Sequence, residues 1–215
     1  MPTPSFANLT VLDHPLIQHK LSILRDRETS TRDFKQLVSE IATLMAYEAT
    51  KDLATEVVEI HTPLERMIGR QVSGKKLTLV PILRAGLGMV DPILSLIPTA
   101  EVWHLGLYRD EETARPVEYY SKLPKTSPVD VALVVDPMLA TGGSITAALE
   151  TLTQWGVPHL KVLSVIASQF GVDTVASRFP QAQIYVCAID PELNDRKFIV
   201  PGLGDAGDRI FNTLR

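Results

Sequence analysis

The chain has 215 residues, 45% hydrophobic and 21% charged, a globular balance that excludes a disordered polypeptide. Its 21 Lys and Arg against 25 Asp and Glu leave a formal charge of −4, without the basic surplus that binding to nucleic-acid phosphates demands. The single cysteine, Cys187, excludes an intrachain disulfide, and no apolar run approaches the roughly 20 residues of a membrane-spanning helix. The N-terminal stretch has neither a basic start nor an apolar segment, so no signal peptide and a cytoplasmic chain are expected.

Residues 14–53 read as helical. Phe34, Leu37, Val38, Ile41, Leu44 and Met45 recur at helical spacing as one apolar stripe, and Ser30 or Thr31 offers the hydroxyl that caps a first turn. From residue 77 strands alternate with helices. Leu77–Ile82 reads as an apolar strand, Gly86–Ile97 as a helix disturbed by Pro92, and Glu101–Tyr108 as a strand in which His104 is a structural residue. Residues 109–128 form a long arm of charges and prolines, the length at which a loop in a compact domain is usually functional. Val129–Val135 is apolar at nearly every position, as a strand buried on both faces must be. Ser144–Trp155 reads as a helix, Leu160–Ser168 as a strand, Gly171–Phe179 as a short helix and Gln183–Ile189 as a strand, with Cys187 an inert core thiol. Residues 190–208 contain Gly202, Gly204 and Gly207, so backbone geometry governs there. The alternation implies a parallel sheet with right-handed crossovers.

Four segments carry chemistry. A buried strand ends in Asp136; the turn Pro137-Met138-Leu139-Ala140-Thr141-Gly142-Gly143-Ser144 follows and opens a helix. Ligands of open α/β sheets sit at carboxyl ends of strands, and free amides at a helix start bind anions, so this is a phosphate-site pattern or else an ordinary capped turn. It is neither a Walker loop nor a dinucleotide fingerprint, lacking their Gly-Lys-Ser/Thr and Gly-x-Gly-x-x-Gly spacings. A second strand end carries Arg84 between Leu83 and Ala85-Gly86, a phosphate clamp or a surface arginine at a tight turn. The arm opens with Tyr108-Arg109-Asp110-Glu111-Glu112-Thr113, a ligand arm or a solvated charged loop. The fourth is the glycine-rich connection Ile199–Asp208. The five histidines show no metal-site spacing, and no Gly-x-Ser-x-Gly elbow exists for a hydrolase.

Together DPMLATGGS at 136–144, PILRAGLG at 81–88, LYRDEET at 107–113 and IVPGLGDAGD at 199–208 resemble the uracil phosphoribosyltransferase family of type I phosphoribosyltransferases. HPLIQHKLSILR at 14–25 and YEAT at 47–50 extend the likeness over nearly the whole chain. The resemblance implies one α/β domain over 1–215, a parallel sheet flanked by helices. Its parts would be N-terminal helices in 1–54, a core of 77–189 with the arm 109–128, and a base-binding hood in 190–215. It implies the reaction of uracil with 5-phosphoribosyl 1-diphosphate to UMP and diphosphate, with Mg²⁺ carried by the ribosyl diphosphate, GTP as a candidate effector and a homodimer or larger homo-oligomer. Arg84, Arg109 and Asp136 would be catalytic. Asp136 would hold the ribose hydroxyls, Pro137 to Ser144 the 5′-phosphate, Arg84 and Arg109 the diphosphate, with Asp205 nearby. Ile199, Gly204, Asp205 and Ala206 would bind uracil, whose acceptor–donor–acceptor edge suits main-chain groups of Ile199, Gly204 and Ala206.

Two departures stand out. Type I relatives usually place two adjacent acids where this chain has Asp136-Pro137, which puts a two-carboxylate contact to ribose in question. Residues 170–180 (FGVDTVASRFP) depart from the bacterial pattern and read as a surface helix. An RNA-binding regulator on the same fold would need a basic face, which the charge of −4 does not support. A nucleotide-binding module without turnover is opposed by Arg84 and Arg109 together.

Overall fold

The computed structural model describes residues 6–74, 76–109, 116–121 and 129–213, and in 106–109 and 116–121 the backbone alone. Most of the arm expected over 109–128 lies outside the described residues.

Strand β1 (Leu9–Val11) leads into α1 (Pro15–Arg25) and α2 (Thr31–Ala49). The helical stretch therefore breaks at 26–30, and Ser30 caps α2 by accepting from the Asp33 amide. Strands β2 (Thr55–His61) and β3 (Arg66–Val72) form an antiparallel hairpin in a stretch the apolar patterning leaves unassigned. After β4 (Leu77–Pro81), a 3-10 turn over Ala85–Met89 precedes α3 (Val90–Leu96). Pro92 falls in the first turn of α3, where its missing amide interrupts no helical bond, so the expected disturbance does not arise. The strand expected over Glu101–Tyr108 is two strands, β5 (Glu101–Val102) and β6 (Leu105–Arg109). β5 pairs with β4, whereas β6 turns away to pair antiparallel with β7 (Pro116–Ser121). His104 sits at the break and is exposed, which corrects its reading as a strand residue.

The remainder is β8 (Val131–Val135), β9 (Met138–Leu139), α4 (Gly143–Trp155), β10 (His159–Ser168), α5 (Gln169–Arg178), β11 (Gln183–Asp190), β12 (Glu192–Leu193), β13 (Ile199–Val200) and α6 (Ala206–Phe211). The central sheet runs β1-β11-β10-β8-β4-β5, with β9 on β10, all parallel. β4 and β8 are buried at every position, as central strands covered on both faces must be. Alternate residues divide between two cores. Leu79, Leu133, Val135 and Leu163 pack with α1, α2, α3 and α6 on one face. Val80, Ala132, Val134 and Val162 pack with α4 and α5 on the other.

The direction in which successive strands are added to the sheet reverses between β4 and β8, although the strands themselves run parallel. β4 continues through α3 to β5 on one side, and β8 continues through α4 to β10 on the other. The carboxyl ends of β4 and β8 thus flank a topological switch point, where the diverging crossovers leave a crevice.

Candidate active site

Asp136 and Arg84 follow these two strand ends. The Asp136 amide donates to the Leu163 carbonyl at 3.2 Å, which fixes the residue at the carboxyl end of the sheet. Its carboxylate accepts from the Met138 amide at 3.1 Å. Burial, and secondarily the negative charge of Asp205, push the carboxyl up to about 7, against the lowering effect of the Met138 bond. Asp205, more than sixty residues away in sequence, therefore acts electrostatically on Asp136.

The turn after Asp136 reaches α4 through Gly142, whose φ of +80° lies in the left-handed region that glycine adopts without strain. Gly142 stands at the N-cap and has no side-chain cap. The first-turn amides, which helix geometry leaves without carbonyl partners, line a cavity of about 130 Å³ formed by Asp136 and residues 138–145. A phosphate group fits such a nest of amides, and the macrodipole of α4 favours its charge.

Helix α5 braces this turn. The fully buried Ser168 hydroxyl donates to the Ala140 carbonyl at 2.6 Å and accepts from the Gly171 amide at 2.9 Å. Gly171 lies so close that a Cβ there would collide with the carbonyls of Leu139 and Ala140. Gly171, Val172, Val175 and Ala176 are buried, so the helix expected at the surface over 170–180 packs one face inward and supports the turn after Asp136.

On the β4 side, Gly86 passes over β8 so tightly that a Cβ would strike the Val135 carbonyl. That approach seats the Arg84 turn beside Asp136. The Leu83–Arg84 peptide is cis. The Arg84 guanidinium pairs with Asp208 at 2.9 Å and remains 57% exposed, open to a ligand. Arg109 ends β6, and its side chain lies outside the described residues, as do those of the other arm positions.

The segment after β11 folds over this end of the sheet as a hood. β12 and β13 pair antiparallel, placing Leu193 opposite Ile199. A cis Val200–Pro201 bond and left-handed Gly202 and Gly204 carry the chain to Asp205, the N-cap of α6, whose carboxylate accepts from the Asp208 amide at 2.9 Å. Ile199 and Ala206 are buried and Gly204 is exposed. Two arginines, neither among the residues the sequence patterns single out, tie the hood down. Arg25 makes a bidentate pair with Asp190 at 2.8 Å and also donates to the Gly202 carbonyl. Buried Arg209 donates to the carbonyls of Leu24, Leu203 and Asp26 and lies over the Phe34 ring. Periodicity gave no signal for them, because Arg25 is satisfied by the Asp190 carboxylate and a carbonyl far along the chain, and Arg209 by main-chain carbonyls, several of them equally remote.

A separate cavity of about 700 Å³ lies where α2 faces the 3-10 turn and α6. Arg32, Lys35 and His104 line it, and none of them forms an ion pair among the described residues. Cys187 is buried, and burial pushes its thiol up to about 12, so it is an inert core residue as expected.

An acid and an arginine beside adjacent strand ends at a switch point, with an uncapped glycine turn next to the acid, give this parallel α/β sheet a crevice suited to a phosphorylated ligand. The family profile of uracil phosphoribosyltransferase matches residues 11–213. Uracil phosphoribosyltransferases from Symbiobacterium thermophilum and Finegoldia magna are 56% and 55% identical over 96% of this chain and 99% of their own length. A solved structure, AQ2163 protein from Aquifex aeolicus, superposes with a TM-score of 0.88 at 35% identity, covering 94% of this chain and 97% of that one. The chain belongs to the uracil phosphoribosyltransferase family.

Proposed function

We infer that this protein is a uracil phosphoribosyltransferase of pyrimidine salvage, converting uracil and 5-phosphoribosyl 1-diphosphate to UMP and diphosphate. The observation that carries the reading is the family match along residues 11–213, which spans the Asp136–Ser144 turn at the switch point. In the mechanism we propose, the amides of Ala140 to Ser144 hold the 5′-phosphate and Asp136 the ribose hydroxyls. Pro137, Met138 and Leu139 form the floor between them. Arg84 and Arg109 face the diphosphate, where negative charge grows as the bond to C1 breaks. Donors fixed there before reaction stabilise that charge more than the ground state, which is how they raise the rate. Main-chain groups of Ile199, Gly204 and Ala206 hold uracil in line with C1, with Asp205 between base and ribose. Holding the two reactants together supplies the entropic part of the acceleration. No general base is needed, since the ribosyl cation accepts a weak nucleophile, and the uracil proton leaves after attack.

Asp136 with Asp205 is a fitting environment for a hard divalent cation, because the Asp205 carboxylate raises the cost of charge on Asp136 and both offer oxygen donors. Mg²⁺, arriving with the ribosyl diphosphate beside these two residues, would supply further neutralisation of the leaving group. We propose the chain as one domain, cytoplasmic, with residues 190–215 as the uracil-binding segment; among the described residues no helix is long and apolar enough to cross a membrane. The homo-oligomer reading is supported by the β2–β3 hairpin, which exposes Val57, Leu64, Ile68 and Val72. The GTP-effector reading is supported by Arg32 and Lys35, which form no ion pair among the described residues and line the 700 Å³ cavity, roomy enough for a nucleotide. One assay tests the central reading: diphosphate release with uracil, cytosine, hypoxanthine and orotate in parallel. Turnover with uracil alone is expected; turnover with hypoxanthine or orotate in its place overturns the assignment.

A further inference from the structure

Arg84 does not stand alone at the strand end. Its Nη2 donates to Asp208 Oδ1 at 2.9 Å, and its Nη1 approaches Thr213 Oγ1 at 3.4 Å. Thr213 in turn donates to the same Asp208 oxygen at 2.5 Å. The chain after α6 bends back through left-handed Asn212, and the Thr213 amide donates to the Asp208 carbonyl, which places the hydroxyl there. On its main-chain side, the Asp208 amide donates to the Asp205 carboxylate. Gly207 lies between them: a Cβ there would sit 3.2 Å from Asp205 Oδ1 and 3.7 Å from Arg84 Nη2.

We propose that Asp208 is a positioning residue, which aims the Arg84 guanidinium at the diphosphate and couples that arginine to the hood that holds uracil. This rests on the reading of Arg84 as a diphosphate ligand. The chemistry favours aiming over blocking. A guanidinium has five N–H donors, and the two contacts here use two of them, leaving three for a ligand. A 57% exposed arginine without a partner samples many rotamers, and an anion on one prong removes most of that freedom before the diphosphate arrives. The pair joins residues 124 positions apart, so the arginine is correctly aimed only when the C-terminal segment is seated.

The test is a double-mutant cycle on the full chain, with Arg84→Ala, Asp208→Asn and the two combined. Asp208→Asn is expected to raise KM for the ribosyl diphosphate about tenfold, the loss of one charged hydrogen bond, and to weaken inhibition by inorganic diphosphate to the same degree. KM for uracil should stay within about twofold. In the Arg84→Ala background the second substitution should change neither constant. Thr213→Val, which keeps the carboxylate and removes one of its donors, should move KM for the ribosyl diphosphate in the same direction by less, and it decides the matter if Asp208→Asn does not fold. An unaltered KM in both variants, or an equal loss with and without Arg84, overturns the proposal. Failure of the wild-type protein to form UMP would instead remove the reading beneath it.

Discussion

Gly171→Ala tests whether the phosphate turn owes its shape to α5. A Cβ at this position would lie 2.7 Å from the Leu139 carbonyl oxygen and closer still to that of Ala140. Both obstacles are main chain, so relief requires helix and turn to part by something on the order of 1 Å. Misplacement of that size in a positioning element costs about 10²-fold in rate, and the Ala140–Ser144 amides are what move. Overpacking of about 1–3 kcal/mol should lower Tm by about 2–12 °C at this chain length. Ser168→Ala is the companion, since it removes the bonds to Ala140 and Gly171 without adding bulk. It should cost about 1–2 kcal/mol as a lost cap and raise KM for the ribosyl diphosphate more than it changes KM for uracil. Gly74→Ala, where the added carbon meets open space, is the control and should match wild type. Steady-state kinetics in both substrates and thermal denaturation read the outcome. A Gly171→Ala protein with wild-type KM for the ribosyl diphosphate and unchanged Tm would refute the brace.

Arg84→Ala and Arg109→Ala should each lower turnover about 10²-fold, with lysine a poor rescue because it lacks the planar fork; unchanged kcat and KM in both alanine variants would remove these residues from the site. Because the folded state holds the Asp136 proton up to about 7, against an ordinary 3.8, folding stability should decline as pH rises between those values, where the unfolded chain has already lost that proton. KM for the ribosyl diphosphate should accordingly fall as pH rises through about 7, and Asp136→Asn should flatten that profile; superimposable wild-type and variant profiles would contradict it. Gly204→Val should destroy uracil use through backbone strain, since Gly204 has φ +79° and its Cβ position is open apart from Arg209 Cδ at 3.7 Å, so an active valine variant would place base recognition elsewhere. Asp190→Asn should loosen the hood by removing the bidentate partner of Arg25, raising KM for uracil more than KM for the ribosyl diphosphate; circular dichroism confirms that the fold is retained.

The sequence by itself determined the parts whose physics is local. The apolar runs at 77–82, 129–135 and 160–168 could only be strands of a sheet covered on both faces, and the helices between them made that sheet parallel. Asp136 before a Thr-Gly-Gly-Ser turn marked the strand end and the uncapped helix start, because the signal lies in consecutive residues. Other parts had no such signal. The break at Trp103-His104 was hidden because a β-rich run reads alike whether one strand or two. The short β1 and the β2–β3 hairpin passed unseen because an edge strand and an exposed ribbon need no continuous apolar stretch. Ser168 and Gly171 looked like an ordinary helix start until α5 was seen against Ala140. Only the tertiary structure set Asp205 against Asp136, Asp208 on Arg84, and Arg25 and Arg209 under the hood. Each of these joins groups far apart in the chain through single charges or main-chain carbonyls, and a charge in a sequence carries no mark of which distant partner will satisfy it once both are withdrawn from water.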